Sequence, residues 1–303
     1  MPIVDPDRAI HEPGPWEHRD VAANGARFHL VECGSGPAVL LLHGFPLYWW
    51  TWRRQLTALA GAGYRAIAMD LRGYGGSDHT PHSYDPFTLC ADVAGVIRCL
   101  GEQDAVVVGH GWGGALAWSM PALQPTAVRA IAPIAMPHPL RMRRAAFRPA
   151  QLARLGYMLT FQLPFLPEHL LTRHEGERIG RVLANWSAED SWTPDEIDMY
   201  RSAFLRWPTA HTSIEYHRWS VRSIPRTDGM RYRRALRTPI DLPVLHLHGA
   251  RDPMVLPASC TGSEQYVSGA YDFIGIDAGH FPHEEKSDVV TQALLRWLSG
   301  LPT

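Results

Sequence analysis

VVGHGWGGALAW, residues 106–117, decides how the rest of the chain is read. The apolar run Ala105–Val108 ends a buried strand, and the residues from Trp112 onward open a helix. Between them Gly109, Gly111 and Gly113 alternate, the composition of a sharp strand–turn–helix corner. Such a corner pushes its middle residue out beyond the carboxyl end of the strand, where open α/β sheets bind ligands. Here the middle residue is Gly111, which carries no side chain.

Outward from this corner, short apolar runs recur. Ala38–Leu42, Arg65–Met69, Val128–Ala135, Pro243–Leu247 and Tyr271–Ile276 read as further strands, continuous rather than alternating, as expected when helices cover both faces. Phe87–Leu100 carries a helical stripe at Val93, Val96, Ile97 and Leu100. Val290, Leu294, Trp297 and Leu298 predict a C-terminal amphipathic helix. Repeated strand–helix units imply an α/β fold with a mostly parallel sheet and right-handed crossovers. The rhythm breaks between about Pro139 and Thr238, where the pattern is helical and rich in Arg, Trp, Tyr and Pro. The expected organisation is one core made of residues 1–138 and 239–303, with a helical cap inserted at 139–238.

The formal net charge of −1 gives no global field for nucleic acid or an anionic membrane, and neither is an expected partner. Arg141, Arg143, Arg144 and Arg148 read as a solvated helix face. Four cysteines without C-x-x-C spacing argue against a disulfide framework and suit a reducing compartment. The N-terminus lacks an apolar signal region, and no run approaches the roughly 18 apolar residues of a membrane span. A cytoplasmic protein is expected. His246 and His248 share a strand face, but no third metal ligand is evident, so neither a metal nor a cofactor is expected.

Four strand ends carry residues able to do chemistry. They are His43-Gly44-Phe45-Pro46, the glycine corner, His248-Gly249-Ala250-Arg251-Asp252-Pro253, and Asp277-Ala278-Gly279-His280-Phe281-Pro282. The corner, then an acid, then a histidine is the chain order of a hydrolase triad.

With these motifs the chain resembles the α/β-hydrolase superfamily, in particular its epoxide hydrolase branch and the related dehalogenases. HGFPLYWWTWRRQ (43–55) resembles the oxyanion-loop segment, DLRGYGGSD (70–78) the next loop, MPHP (136–139) the exit into the cap, and DAGHFPHEE (277–285) the histidine loop. The resemblance implies that an elbow aspartate attacks the epoxide carbon to form an ester. A histidine, held by an acid, then activates water. Carried onto this chain, that pair is His280 and Asp252, and the oxyanion amides are those of Phe45 and Trp112. Two cap tyrosines donate to the epoxide oxygen in the family. Tyr157 in GYMLTFQLP matches the first. In SIEYHRWS the second position is His217, with Tyr216 one step earlier as a substitute.

Two positions depart from that pattern. Histidine in place of tyrosine is mild, because His217 is able to donate a hydrogen bond. Glycine in place of aspartate is severe, since the covalent route is closed. Glycine tolerates the strained corner and frees volume for a second reacting group. The implied function is therefore non-hydrolytic: epoxide opening with C–C or C–O bond formation in natural-product biosynthesis, with His280 deprotonating a nucleophile on the substrate. Direct hydrolysis by His280-activated water and a non-catalytic small-molecule receptor are the competing readings. Trp49, Trp50 and Trp52 follow the oxyanion loop, Trp112 adjoins the corner, and Trp186, Trp192, Trp207 and Trp219 lie in the cap. Collectively they predict a flat, hydrophobic, polycyclic aromatic epoxide as substrate. Trp49, Trp50, Tyr216 and Trp186 are the expected contacts.

Overall fold

The computed structural model describes residues 4–301. Eight strands form one sheet: β1 (Glu17–Ala23), β2 (Ala26–Cys33), β3 (Ala38–Leu42), β4 (Arg65–Met69), β5 (Ala105–His110), β6 (Val128–Ile134), β7 (Val244–Gly249) and β8 (Tyr271–Ile276). Their spatial order is β1-β2-β4-β3-β5-β6-β7-β8, parallel except where β2 pairs with β1 and β4. The α/β architecture expected from the sequence is present.

Both faces of the central strands are buried, which explains their unbroken apolar character. Val39, Leu41, Val106 and Val108 face one side, against Leu294 and Leu298 of the C-terminal helix Ser287–Ser299. Leu40, Leu42 and Val107 face the other, against Val93 and Ile97 of the helix Pro86–Cys99 and Leu116 of the helix Trp112–Leu123. The helix Pro86–Cys99 starts where Asp85 accepts hydrogen bonds from the Phe87 and Thr88 amides and Pro86 fills the first position.

β1 and β2 were not expected from the sequence. They form a hairpin at the sheet edge, and β1 is largely exposed, so its apolar signal is weak. The turn does carry a signal. Asn24 and Gly25 both have positive φ (46° and 74°), as a two-residue hairpin turn requires. Between β6 and β7 the described residues form seven helices and no strand. The longest, Leu166–Trp186, is interrupted by non-helical backbone at Arg173–Gly176. Among the described residues no helix is long and apolar enough to cross a membrane.

Candidate active site

β5 delivers Gly111 to the amino end of the helix Trp112–Leu123, with φ 53° and ψ −115°. The flanking glycines are dictated by packing. A Cβ on Gly109 would strike the Gly113 carbonyl, and one on Gly113 would strike the Leu42 carbonyl. Gly111 is different. A Cβ there would meet only the Gly44 Cα at 3.5 Å and the His280 Nε2 at 3.9 Å, ordinary van der Waals distances. Space does not impose this glycine, and the group it faces is the imidazole of His280.

His280 follows β8 in a loop pinned from several sides. Its amide donates to the Trp186 carbonyl (2.7 Å), and its carbonyl accepts from His110 Nε2 (2.8 Å). The Glu285 carboxylate collects the amides of Gly279 (2.9 Å), Phe281 (3.0 Å) and Ala188 (2.8 Å). His280 Nδ1 donates to Asp252 Oδ2 at 2.8 Å. The other oxygen of Asp252, which follows β7, accepts from the Met254 (2.7 Å) and Val255 (2.9 Å) amides. Asp252 is thus locked against rotation and fixes the tautomer of His280. Nε2 is left as the proton acceptor, aimed at the elbow. His110 and Glu285 had no expected role. Both lie within the quoted motifs, His110 in the glycine corner and Glu285 at the end of DAGHFPHEE.

On the opposite wall, the His43 ring accepts from the Leu71 amide at Nε2 (3.0 Å), and its Nδ1 bonds the Gly44 carbonyl (3.0 Å). The Gly113 amide donates to the His43 carbonyl (3.0 Å), tying this loop to the start of the elbow helix. The Phe45 and Trp112 amides donate to no group among the described residues. Two unpaired donors beside the corner suit a developing oxyanion.

A cavity of about 690 Å³ lies against this assembly. Phe45, Tyr157, Phe161, Trp186 and Met254 give it an apolar wall, while Arg154, Arg173, Arg178 and Arg181 line it with cations. Gly111 and His280 do not line it directly. Trp186 connects the two, with its ring edge-on to His280 at 5.4 Å between centroids. Burial raises the pKa of Tyr157, with a further upward push from Asp252, so Tyr157 is a neutral phenol able to donate.

Four expected contacts are corrected. His217 is not available as an acid: its Nε2 accepts from Trp112 Nε1 (3.1 Å) and its Nδ1 is hydrogen-bonded to the Ser213 carbonyl (3.2 Å). Burial lowers its pKa to about 3, so the ring is neutral with both nitrogens engaged. Tyr216 does not replace it. Its buried hydroxyl donates to the Arg72 carbonyl (2.7 Å), and its ring packs on Tyr74 and Tyr84. Trp49 is buried away from the cavity, its Nε1 bonded to the Ile10 carbonyl (2.7 Å) and its amide to Asp70 (2.8 Å). Trp50 packs between Tyr48 and Tyr200 under the Arg53 guanidinium, 3.8 Å from its ring centroid. Of the tryptophans only Trp186 lines the cavity, so the aromatic wall is smaller than expected. Arg141 and Arg148 bond the Ala258 carbonyl and belong to a different surface from the cavity arginines.

Residues 37–287 match the α/β-hydrolase fold family. The chain belongs to that family. Similar α/β-hydrolases are themselves epoxide hydrolases by name. Epoxide hydrolase A of Mycobacterium tuberculosis is 31% identical over 95% of this chain and 99% of its own length. Human epoxide hydrolase 4 is 30% identical over 91% of this chain and 76% of its own. The crystal structure of epoxide hydrolase A from Mycobacterium thermoresistibile superposes with a TM-score of 0.83 and 29% identity, covering 95% of this chain and 99% of that one. This α/β-hydrolase is therefore epoxide hydrolase-like, and His280 with Asp252 occupies the strand ends where the fold concentrates its chemistry.

Proposed function

We propose that this α/β-hydrolase opens an epoxide by general acid–base catalysis, without a covalent enzyme ester. The observation that carries the reading is His280 Nε2, held by Asp252 and facing an elbow whose residue, Gly111, has no nucleophile. Gly111 takes the place of the attacking aspartate that the epoxide hydrolase resemblance implies. His280 Nε2 removes the proton from a hydroxyl, phenol or enol of the substrate. The freed electron pair forms the new C–O or C–C bond at the epoxide carbon, and the ring C–O bond breaks. Tyr157 donates its proton to the leaving oxygen and recovers it from the imidazolium, so the net change is an isomerisation. The free Phe45 and Trp112 amides hold an enolate or phenolate oxygen as it gains charge. General acid–base help contributes roughly 10²–10⁴, and positioning adds to it. We read the step as tailoring of an aromatic natural product, with residues 139–238 as the cap closing over it.

The cavity supports a substrate class. Its apolar wall suits an aromatic body. Arg154, Arg173 and Arg178 are exposed and form no ion pair among the described residues, which suits a carboxylate or similar anion at the mouth. Arg178→Gln is expected to raise KM for an acid-bearing epoxide and to leave its neutral methyl ester unchanged. Equal effects on both would remove the anion from the reading.

Direct hydrolysis is the second reading, favoured by the absence of a side chain at Gly111 on the side that faces His280 Nε2. Turnover in ¹⁸O-water separates the two. Cyclisation leaves the opened carbon unlabelled, and label there overturns it.

A further inference from the structure

The strand that ends near Asp252 carries a second cluster, unused by the proposed chemistry. His246 and His248 alternate on β7 and share one face of it. The structure brings Cys260 to that face. One ring nitrogen of each histidine and the Cys260 sulfur lie within 4.8 Å of one another, all on buried residues. The sequence suggests two ligands and conceals the third, because Cys260 arrives from the end of a separate four-residue helix, Pro257–Cys260.

The hydrogen bonds favour metal ligation over packing. His248 Nε2 donates to the Val255 carbonyl (2.8 Å), which leaves Nδ1 unprotonated. His246 Nδ1 is bonded to the Tyr271 hydroxyl (2.9 Å). The remaining nitrogens, Nε2 of His246 and Nδ1 of His248, are buried and have no partner among the described residues. Buried polar atoms are rarely left so. An outer hydrogen bond that fixes each imidazole while its other nitrogen stays open is the usual outer-shell arrangement of a metal-binding histidine.

We infer that His246, His248 and Cys260 bind one thiophilic d¹⁰ cation, zinc(II) or copper(I), with Cys260 losing its thiol proton to solvent on binding. Two imidazoles and a thiolate are the donors these ions favour over magnesium or calcium. Zinc bonds of ~2.0 Å to nitrogen and ~2.3 Å to sulfur draw donors closer together than the cluster now holds them. That closure falls on the short helix bearing Cys260 rather than on the sheet. The ion's ligands are distinct from the catalytic pair, although His248 Nε2 lies 3.8 Å from Asp252 Oδ2.

The test is a titration of chelator-stripped full-length protein with zinc(II), and separately with copper(I) under reducing conditions. Each is read against a competing chromophoric chelator. One equivalent is expected, with the tighter ion identifying the site. Affinity falls tenfold or more in Cys260→Ser and in His246→Gln. It is unchanged in His18→Gln, which alters a separate histidine group, His11, His18 and His29. Cobalt(II) gives a thiolate charge-transfer band that disappears in Cys260→Ser, and the ion raises the melting temperature of the parent but not of that variant. Absence of stoichiometric binding overturns the inference. So does binding that survives in melting-competent Cys260→Ser and His246→Gln, or that is lost in His18→Gln.

Discussion

Gly111→Asp puts the elbow reading to a direct trial. The Cβ it adds meets Gly44 Cα at 3.5 Å and His280 Nε2 at 3.9 Å, so no neighbour must move to admit it. The carboxylate oxygens lie two bonds further out, within hydrogen-bonding reach of Nε2. The cost is conformational. A side chain at φ 53°, ψ −115° loses roughly 1–3 kcal/mol, and aspartate tolerates positive φ better than most residues. For a chain of this size that is a fall in melting temperature of at most about 10 °C. Gly111→Ala bears the same strain without the carboxylate, so the pair separates steric from chemical effects. Restored covalent chemistry is expected to be large, since loss of a nucleophile costs about 10⁶ in a triad hydrolase of unrelated fold. We expect Gly111→Asp to raise diol formation from aryl-substituted epoxides by about 10³ or more. In the double variant with His280→Gln, which blocks hydrolysis of the ester, intact mass should rise by one substrate, on the peptide spanning residue 111. The parent and Gly111→Ala should show no adduct. A folded Gly111→Asp protein that forms neither adduct nor extra diol would refute the assignment of this position as the vacated nucleophile site.

Other expectations follow from single contacts. Tyr157→Phe removes the only cavity phenol and should lower kcat roughly 10²–10⁴-fold with little change in KM, measured at saturating substrate. Asp252→Asn should lower kcat at least as much, because it releases the tautomer of His280; a kcat within a few-fold of the parent would deny the pair its role. His217→Phe should leave kcat within a few-fold of the parent, since its nitrogens are engaged by Trp112 and Ser213; a loss as large as that of Tyr157→Phe would restore it as an acid. Acid stability should fall early. Burial pulls the pKa values of His138, His217 and His246 down to about 3, whereas the unfolded chain protonates them near 6.5. The unfolded state therefore binds more protons below 6.5. Stability is full above that pH and declines toward 3, by up to ~4 kcal/mol per pH unit for the three together. Melting temperatures that stay flat from pH 7 to pH 5 would contradict this.

The central sheet is legible in the sequence because β3 to β7 are buried on both faces, and burial writes itself as unbroken apolar runs. β1 fails the same reading for the opposite reason: at the edge it alternates polar residues against solvent, and only Asn24-Gly25 marks it. The His280–Asp252 pair is legible because each residue follows its own strand end. Its supports are not. Nothing in the spacing indicates that Trp112 reaches across to occupy His217, or that Asp70 draws the Trp49 backbone away from the cavity. The cavity arginines are likewise scattered over Arg154, Arg173 and Arg178, and the helices on either side of the break at Arg173–Gly176 bring them to one opening. Tryptophan count is a poor guide to the cavity wall, because Trp49, Trp50 and Trp192 fill the core.

The loss of His217 as an acid narrows the chemistry. A ring-opening step with two donors shares the developing charge of the opening oxygen between them. With Tyr157 alone, the oxygen must receive its proton as the C–O bond breaks, which favours attack and protonation in one motion. That demand fits a nucleophile already tethered to the epoxide, since intramolecular attack replaces an ordered water with a bond-length constraint worth several orders of magnitude in effective concentration. The glycine at the elbow adds to the same preference. On the proposed reading no carboxylate stands beside His280 to repel an enolate or phenolate, and the Phe45 and Trp112 amides are unpaired among the described residues. A base locked by Asp252, one neutral acid and a corner without a nucleophile would together serve the internal ring opening proposed above. For covalent hydrolysis the same set lacks its first reagent.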